Sequence, residues 1–276
     1  MSLAHPAIAP GLGGLLMRAG VFAYVGALVA LPLAALLAEG LAQGIPALWE
    51  AVSAPVAAAA LRLTLVTAGI MALVNAVLGT ATAWVLARYD FPGRGLLSGL
   101  VDLPFAIPTL VTGVMLVLLF GPQSSVGGWL GAHDLPVAFA APSIVLALLF
   151  VTVPFVVRAV EPVLMEQDPA EEEAARTLGA STFTVFWRVL LPPLLPSLLS
   201  GTIRSYARAL GEFGSIVVVS GNIPHRTLTA PIYVFGEIES GRSEVAAAIS
   251  VVLLAVALGL TFGARAIEHL TGTARA

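Results

Sequence analysis

A chain of 276 residues in which 58% are hydrophobic and only 11% are charged is more apolar than soluble domains, at about 45–50%, so its solvent must be lipid. With a net charge of −3 and no lysine among its 13 basic residues, it lacks the basic excess that nucleic acid demands and the lysine that a P-loop needs for ATP. The absence of cysteine removes disulfides and thiolate chemistry, and His5, His133, His225 and His269 are too scattered to form a metal-ligand pair.

A helix needs about 20 apolar residues to cross a bilayer core, and the first such stretch runs from about Gly20 to Ala38, behind Arg18. Its length and the lack of a clear small-x-small cleavage site favour a retained helix over a signal peptide. Further spans are predicted at 63–87, 98–120, 138–160, 196–219 and 245–265, which makes an all-α polytopic protein of about six transmembrane helices. With both termini in the cytoplasm, eight arginines lie inside (Arg18, Arg88, Arg94, Arg158, Arg176, Arg188, Arg265 and Arg275) and three outside (Arg62, Arg226 and Arg242). That asymmetry satisfies the positive-inside bias.

In the second span, Asn75 is expected to bond across helices. At the start of the third, Pro104 and Pro108 each remove a backbone donor and are expected to bend the helix. Between spans four and five, the long charged segment 161–195 contains Asp168-Pro169-Ala170-Glu171-Glu172-Glu173-Ala174-Ala175-Arg176-Thr177-Leu178-Gly179. Asp168 is a good N-cap, Pro169 suits the first helical position, Glu171 can complete a capping box, and Gly179 offers a left-handed stop. A helix of about ten residues spans roughly 15 Å, too short to cross lipid. With Ala174, Ala175 and Leu178 on one side it suits a groove in a partner, although a solvated amphipathic connector fits the pattern equally well.

In the fifth span Arg204, Arg208 and Glu212 recur every four residues, which stacks them on one helix face. A charge at the centre of a membrane helix costs about 2.5–3.5 kcal/mol or more, so Arg208 and Glu212 are expected to pair. The stripe either lines a translocation path, where arginine attracts an oxyanion by charge and forked hydrogen bonds, or is a structural pair, with Arg204 snorkelling. Gly211, Gly214 and Ser215 surround Glu212 and would let a neighbouring helix approach closely. Arg208, Gly211, Glu212 and Ser215 are therefore the candidates for the path or its gate.

Glu173-Ala174-Ala175, three residues, Gly179, nine residues and then Val189-Leu190-Leu191-Pro192 resemble the EAA loop of ABC-importer permeases, with Val189 where isoleucine is more usual. The resemblance runs from about residue 60 to residue 265. Within it, segments 88–94 (RYDFPGR), 102–108 (DLPFAIP), 208–214 (RALGEFG) and 220–224 (SGNIP) are similar to the sulfate/thiosulfate permeases of the T type. W-type and molybdate permeases share parts of this pattern.

The resemblance implies a type I ABC-importer permease fold. It divides the chain into an N-terminal segment, first span and external loop (1–58), a permease domain (59–265) and a cytoplasmic tail (266–276). It implies that Glu172, Glu173, Ala174, Ala175, Leu178 and Gly179 belong to a coupling helix docking on an ATPase subunit. ATP and magnesium then bind on an ATPase dimer and no cofactor binds this chain. A paired W-type permease and an extracytoplasmic sulfate-binding protein complete the assembly in a bacterial cytoplasmic membrane, although a homodimer remains open. The expected cargo is sulfate or thiosulfate, with molybdate or tungstate as the alternative. A self-contained secondary transporter would show internal repeats, and a membrane enzyme a convergent nucleophile, base or metal cluster; the sequence carries neither.

Overall fold

The structure, a computed structural model, describes the backbone of residues 12–271 and the side chains of residues 13–266. Expectations for residues 1–11 and 272–276, and for the side chain of His269, lie outside the described residues. The described residues form α1 (Leu12–Leu41), α2 (Gly44–Ser53), α3 (Pro55–Arg88), α4 (Arg94–Ala106), α5 (Thr109–Phe120), α6 (Ser125–Ala132) and α7 (Ala141–Glu166). They continue with α8 (Pro169–Thr177), α9 (Thr182–Val185), a π-helical turn (Phe186–Leu190), α10 (Leu191–Leu210), α11 (Gly214–Val219), α12 (Ala230–Glu239) and α13 (Ser243–Thr271).

Five helical stretches are long and apolar enough to cross a bilayer: Gly13–Leu41, Pro55–Arg88, Ala141–Glu166, Thr182–Leu210 and Ser243–Ala266. The α4–α5 pair passes that test only together, with its two halves bent by 114°, and makes a sixth if it is one broken span. The bend follows from Pro108, whereas Pro104, also expected to bend the span, lies inside α4. Ile107 precedes Pro108 and is held extended, with ψ 126°, and Pro108 itself carries no N–H to continue the α4 ladder.

The core is a three-helix contact among α3, α7 and α10. It is built by small residues at the crossings, since van der Waals fit, not water exclusion, drives helix association in lipid. A Cβ on Gly79 of α3 would come within 2.9 Å of Val156 on α7, and one on Gly201 of α10 within 2.8 Å of Ala159. Around these crossings Ala83, Leu86, Val101, Val156, Val157, Val160, Leu164 and Leu194 form one buried cluster. Asn75 does bond across helices, its amide donating to Thr152 Oγ1 at 2.8 Å, and Ser205 of α10 approaches the sulfur of Met71 at 3.3 Å. By contrast α1 packs chiefly along α13 and leaves Leu15, Leu16, Met17, Phe22 and Tyr24 exposed, as a helix surrounded by lipid would.

Arg158 of α7 clamps the first half of the bent span. Its Nε and Nη2 donate to the two oxygens of Asp102 at 2.8 and 2.6 Å, a two-pronged fork. Nη2 also reaches the backbone carbonyl and the hydroxyl of Ser98, each at 2.9 Å, and Nη1 meets Glu161. One side chain thus ties α4 to α7.

The fifth span departs from expectation at both ends. It was expected at 196–219, but the helix begins at Thr182 and ends at Leu210, and α11 is a separate short helix. Gly211 and Gly214 are the cause, because glycine loses the most chain entropy in a helix and stops this one despite the apolar residues beyond. At the other end, the π turn closes with Leu191 N–H donating to Phe186 O, five residues back. Pro192 and Pro193 follow at once and supply no donor of their own.

At the opposite end of the bundle from α8, Arg242 donates to Glu237 at 2.5 and 2.9 Å. The guanidinium holds that carboxyl below the ordinary glutamate value, against the opposing effect of burial.

Candidate functional site

The loop after α7 folds by its own local rules. The Asp168 carboxylate accepts from Ala170 N–H at 2.9 Å, and Pro169 opens α8. The cap bond therefore comes from Ala170 and not from a reciprocal box with Glu171, whose side chain stays exposed in the first turn. Gly179 takes φ +85°, and Gly179 N–H and Ala180 N–H return to the carbonyls of Arg176 and Ala175 at 2.9 and 3.1 Å, closing the helix on a left-handed stop. Ser181 immediately caps α9 by accepting from Thr184 N–H at 3.2 Å. The Gln167 amide donates to Leu190 O at 3.2 Å and draws the two ends of the loop together.

The six residues expected on the coupling helix do not share one face. Glu173, Ala174, Leu178 and Gly179 are exposed, and Leu178 keeps 88% of its surface open, an apolar side chain almost uncovered by the described residues. Glu172 turns the other way: its side chain is only 12% exposed and lies 2.9 Å from Arg88, the last residue of α3. At about 100° per residue, Ala174, Ala175 and Leu178 fall within one arc of about 100°. Ala174 and Leu178 are exposed, and Ala175, at the edge of that arc nearest Glu172, is half-buried. Further on, Phe183 and Trp187 are exposed with their rings 5.9 Å apart, a second apolar feature of the same loop.

The other candidate set gathers at the break after α10. Glu212 was expected on the helix face below Arg204 and Arg208. It lies instead beyond the helix end, yet its carboxylate reaches Arg208 Nη2 at 2.8 Å. Its second oxygen accepts from the backbone N–H and the hydroxyl of Ser215, both at 3.0 Å. The negative charge thus sits where α11 begins and satisfies an N–H that has no helical partner. Glu212 is 1% exposed and Ser215 fully buried, while about a third of the Arg208 side chain remains open.

Of the two glycines, only Gly214 serves close approach. A Cβ there would collide with Thr109 Oγ1 and come within 3.1 Å of Leu110 N, whereas Gly211 has open space around it. Gly113 mirrors Gly214, since its Cβ would lie 2.6 Å from Ser215 O. The breaks in the third and fifth spans, one at Pro108 and one at Gly211, therefore lie against each other.

Sequence reasoning missed the roles of Arg88, Trp84, Phe183 and Trp187. The signal was present as two pairs at i,i+4, Trp84 with Arg88 and Phe183 with Trp187, a spacing at which helical side chains meet. Among the described residues no group of three or more His, Cys, Asp or Glu is placed to hold a metal ion.

The chain is 45% identical over 230 residues to the probable sulfate transport system permease protein cysT of Nephroselmis olivacea, covering 83% of this chain and 81% of that one. It is 39% identical over 249 residues to the sulfate transport system permease protein CysT of Escherichia coli (strain K12), covering 90% of each. To the CysW protein of Synechocystis sp. it is 43% identical over 242 residues, covering 88% of each. Its fold matches a chain of a bacterial alginate ABC transporter solved with an alginate-loaded periplasmic protein, with a TM-score of 0.73 at 19% identity over 93% of this chain and 95% of the other. It also matches a chain of the inward-facing MetNI methionine ABC transporter, with a TM-score of 0.57 at 18% identity over 77% and 94%. The family model for the binding-protein-dependent transport system inner membrane component covers residues 76–271, and the chain belongs to that family.

Proposed function

We propose that this chain is a membrane-spanning permease subunit of an ATP-driven sulfate importer, and that α8 is the helix through which a partner ATPase moves it. The observation that carries this reading is the 39% identity to a sulfate permease over 90% of both chains. The exposed, doubly capped α8 supports it, since a helix of nine residues with a bare Leu178 makes an end piece for a groove. Glu173, Ala174, Leu178 and Gly179 form the docking face, and ATP and magnesium bind on the partner. Both termini lie in the cytoplasm, which puts α8 on the ATPase side and the Glu237–Arg242 pair on the side of the binding protein.

The gate lies where the two broken spans meet, at Arg208, Gly211, Glu212 and Ser215. Arg208 keeps an open flank that attracts a divalent oxyanion, while Glu212 holds the guanidinium in place and limits how tightly the anion is held. Weak holding suits a path that must release its cargo. The apolar face of α5 formed by Leu110, Val111, Val114, Met115, Leu118 and Leu119 is exposed in this chain and is where a paired permease completes the pathway. The 43% identity to a CysW protein favours a second reading of that pair, in which this chain takes the W position. Identifying the permease that copurifies with it separates the two readings.

The test is ATP hydrolysis by the copurified complex in proteoliposomes, with binding protein loaded with sulfate, thiosulfate or molybdate. Stimulation by sulfate that Glu173→Ala and Gly179→Pro both abolish is the expected result. Stimulation by molybdate alone would transfer the chain to molybdate transport, and the absence of any copurifying ATPase would overturn the importer reading.

A further inference from the structure

Arg88 ends α3, a 34-residue helix embedded against α7 and α10. Among the described residues, α8 packs otherwise chiefly on the return limb of its own loop, α9 and the π turn. The Arg88 guanidinium is held on two sides. Glu172 of α8 stands 2.9 Å from Nη2, and the guanidinium carbon lies 5.9 Å from the centroid of the Trp84 ring, one turn earlier in α3. The Trp84 ring meets Phe186, the first residue of the π turn, at 6.3 Å and 57°. Both ends of the loop are therefore gathered onto the last turn of α3, α8 by charge and the π turn by aromatic contact.

Both charged side chains are withdrawn from water, 16% exposed for Arg88 and 12% for Glu172, which strengthens their attraction over that of a surface pair. The contact is nonetheless unlike the fork at Arg158. The Arg88 Nε and Nη2 hydrogens have no aligned acceptor among the described residues, so the pair holds by charge and proximity and not by directed hydrogen bonds. A contact of this kind acts as a joint. It resists separation of α8 from the end of α3 without a directed hydrogen bond between the two side chains.

We propose that Arg88 is the positioning residue of coupling: through Glu172 it holds α8 to the end of α3, so that a push on α8 reaches the α3–α7–α10 core before it is lost in the loop. The inference rests on the importer reading for what does the pushing. The joint itself rests on this chain alone.

Two measurements test it. In the copurified complex with sulfate-loaded binding protein, Arg88→Gln is expected to leave ATPase copurification and basal hydrolysis intact and to lower stimulated hydrolysis by about tenfold, a usual size for coupling between sites. Arg88→Lys, which keeps the charge, is expected to retain most of the stimulation. In the chain alone, which has no native cysteine, nitroxide labels at Tyr89→Cys and Thr177→Cys are expected to give one narrow distance that broadens in Arg88→Gln and not in Arg88→Lys. Unchanged stimulation with an unchanged distance distribution would overturn the proposal. Loss of copurification in Arg88→Gln would also overturn it, because Arg88 would then serve docking. If the native complex shows no ATPase, the importer reading fails, while the label distances still report on the joint.

Discussion

Arg158 and Arg208 are both arginines within membrane-spanning helices, and each is paired with a carboxylate, but they join different things. Arg158 reaches across from α7 to Asp102 and Ser98 on α4, so it fastens one half of a broken span to an intact helix. Arg208 reaches four residues along its own chain to Glu212, over the gap between α10 and α11. The first arrangement fixes two elements relative to each other. The second fixes the geometry of a break, and the packing of α10 and α11 on their neighbours does the rest. A charge in the membrane can thus tie two helices together or shape an interruption, according to whether its partner lies on another helix or across a gap in the same segment.

The largest effect is expected from Glu212→Ala. It strips a buried carboxylate from Arg208 and from two Ser215 donors at once, and removing one member of a buried pair costs about 3–5 kcal/mol. Because Arg208 keeps an open flank, the lower end of that range applies. The thermal midpoint of the detergent-solubilised protein should fall sharply, and an unchanged midpoint would show that the break needs no charge pair. A smaller effect, about 1–2 kcal/mol, is expected from Arg158→Lys, which keeps the charge but loses the fork to Asp102. If lysine were as stable as arginine, the clamp would be a matter of charge alone and the contrast with Arg208 would weaken.

The smallest effect concerns the third pair, Arg242 with Glu237, which lies outside the spans. Arg242 holds the Glu237 carboxyl below its ordinary value, so the pair contributes stability that is present above the unfolded glutamate pKa and is lost as pH falls through the depressed folded one. Glu237→Gln should therefore lower the thermal midpoint at neutral pH and narrow its gap from the acid midpoint, with little change below that window. An identical pH dependence in both proteins would show that the pair contributes nothing to folding.

What the sequence disclosed follows the range of the forces involved. The α8 cap was legible because Asp168, Pro169 and Gly179 act on backbone groups within two or three residues. The bend at Pro108 was legible for the same reason, and Asn75 because an amide in lipid must find a partner. Hydropathy located each span but misplaced the fifth. Apolar residues at 216–219 look like helix continued, and only the competing preference of Gly211 and Gly214 decides that α11 is separate. The inward turn of Glu172 could not be read at all. It depends on where α3 ends relative to α8, a contact between residues 84 positions apart in the chain, between positions 88 and 172.

The π turn at Phe186–Leu190 has a consequence of gearing. It places one residue more in a turn than an α-helix would, and each residue of an α-helix advances the face by about 100°. The loop that carries Leu178 is therefore mounted on the fifth span with an angular offset set by a single residue. Deleting one residue from 186–190 would wind the turn back to α-helix and swing α9, with the exposed ring of Phe183, by roughly a quarter of a revolution about the span.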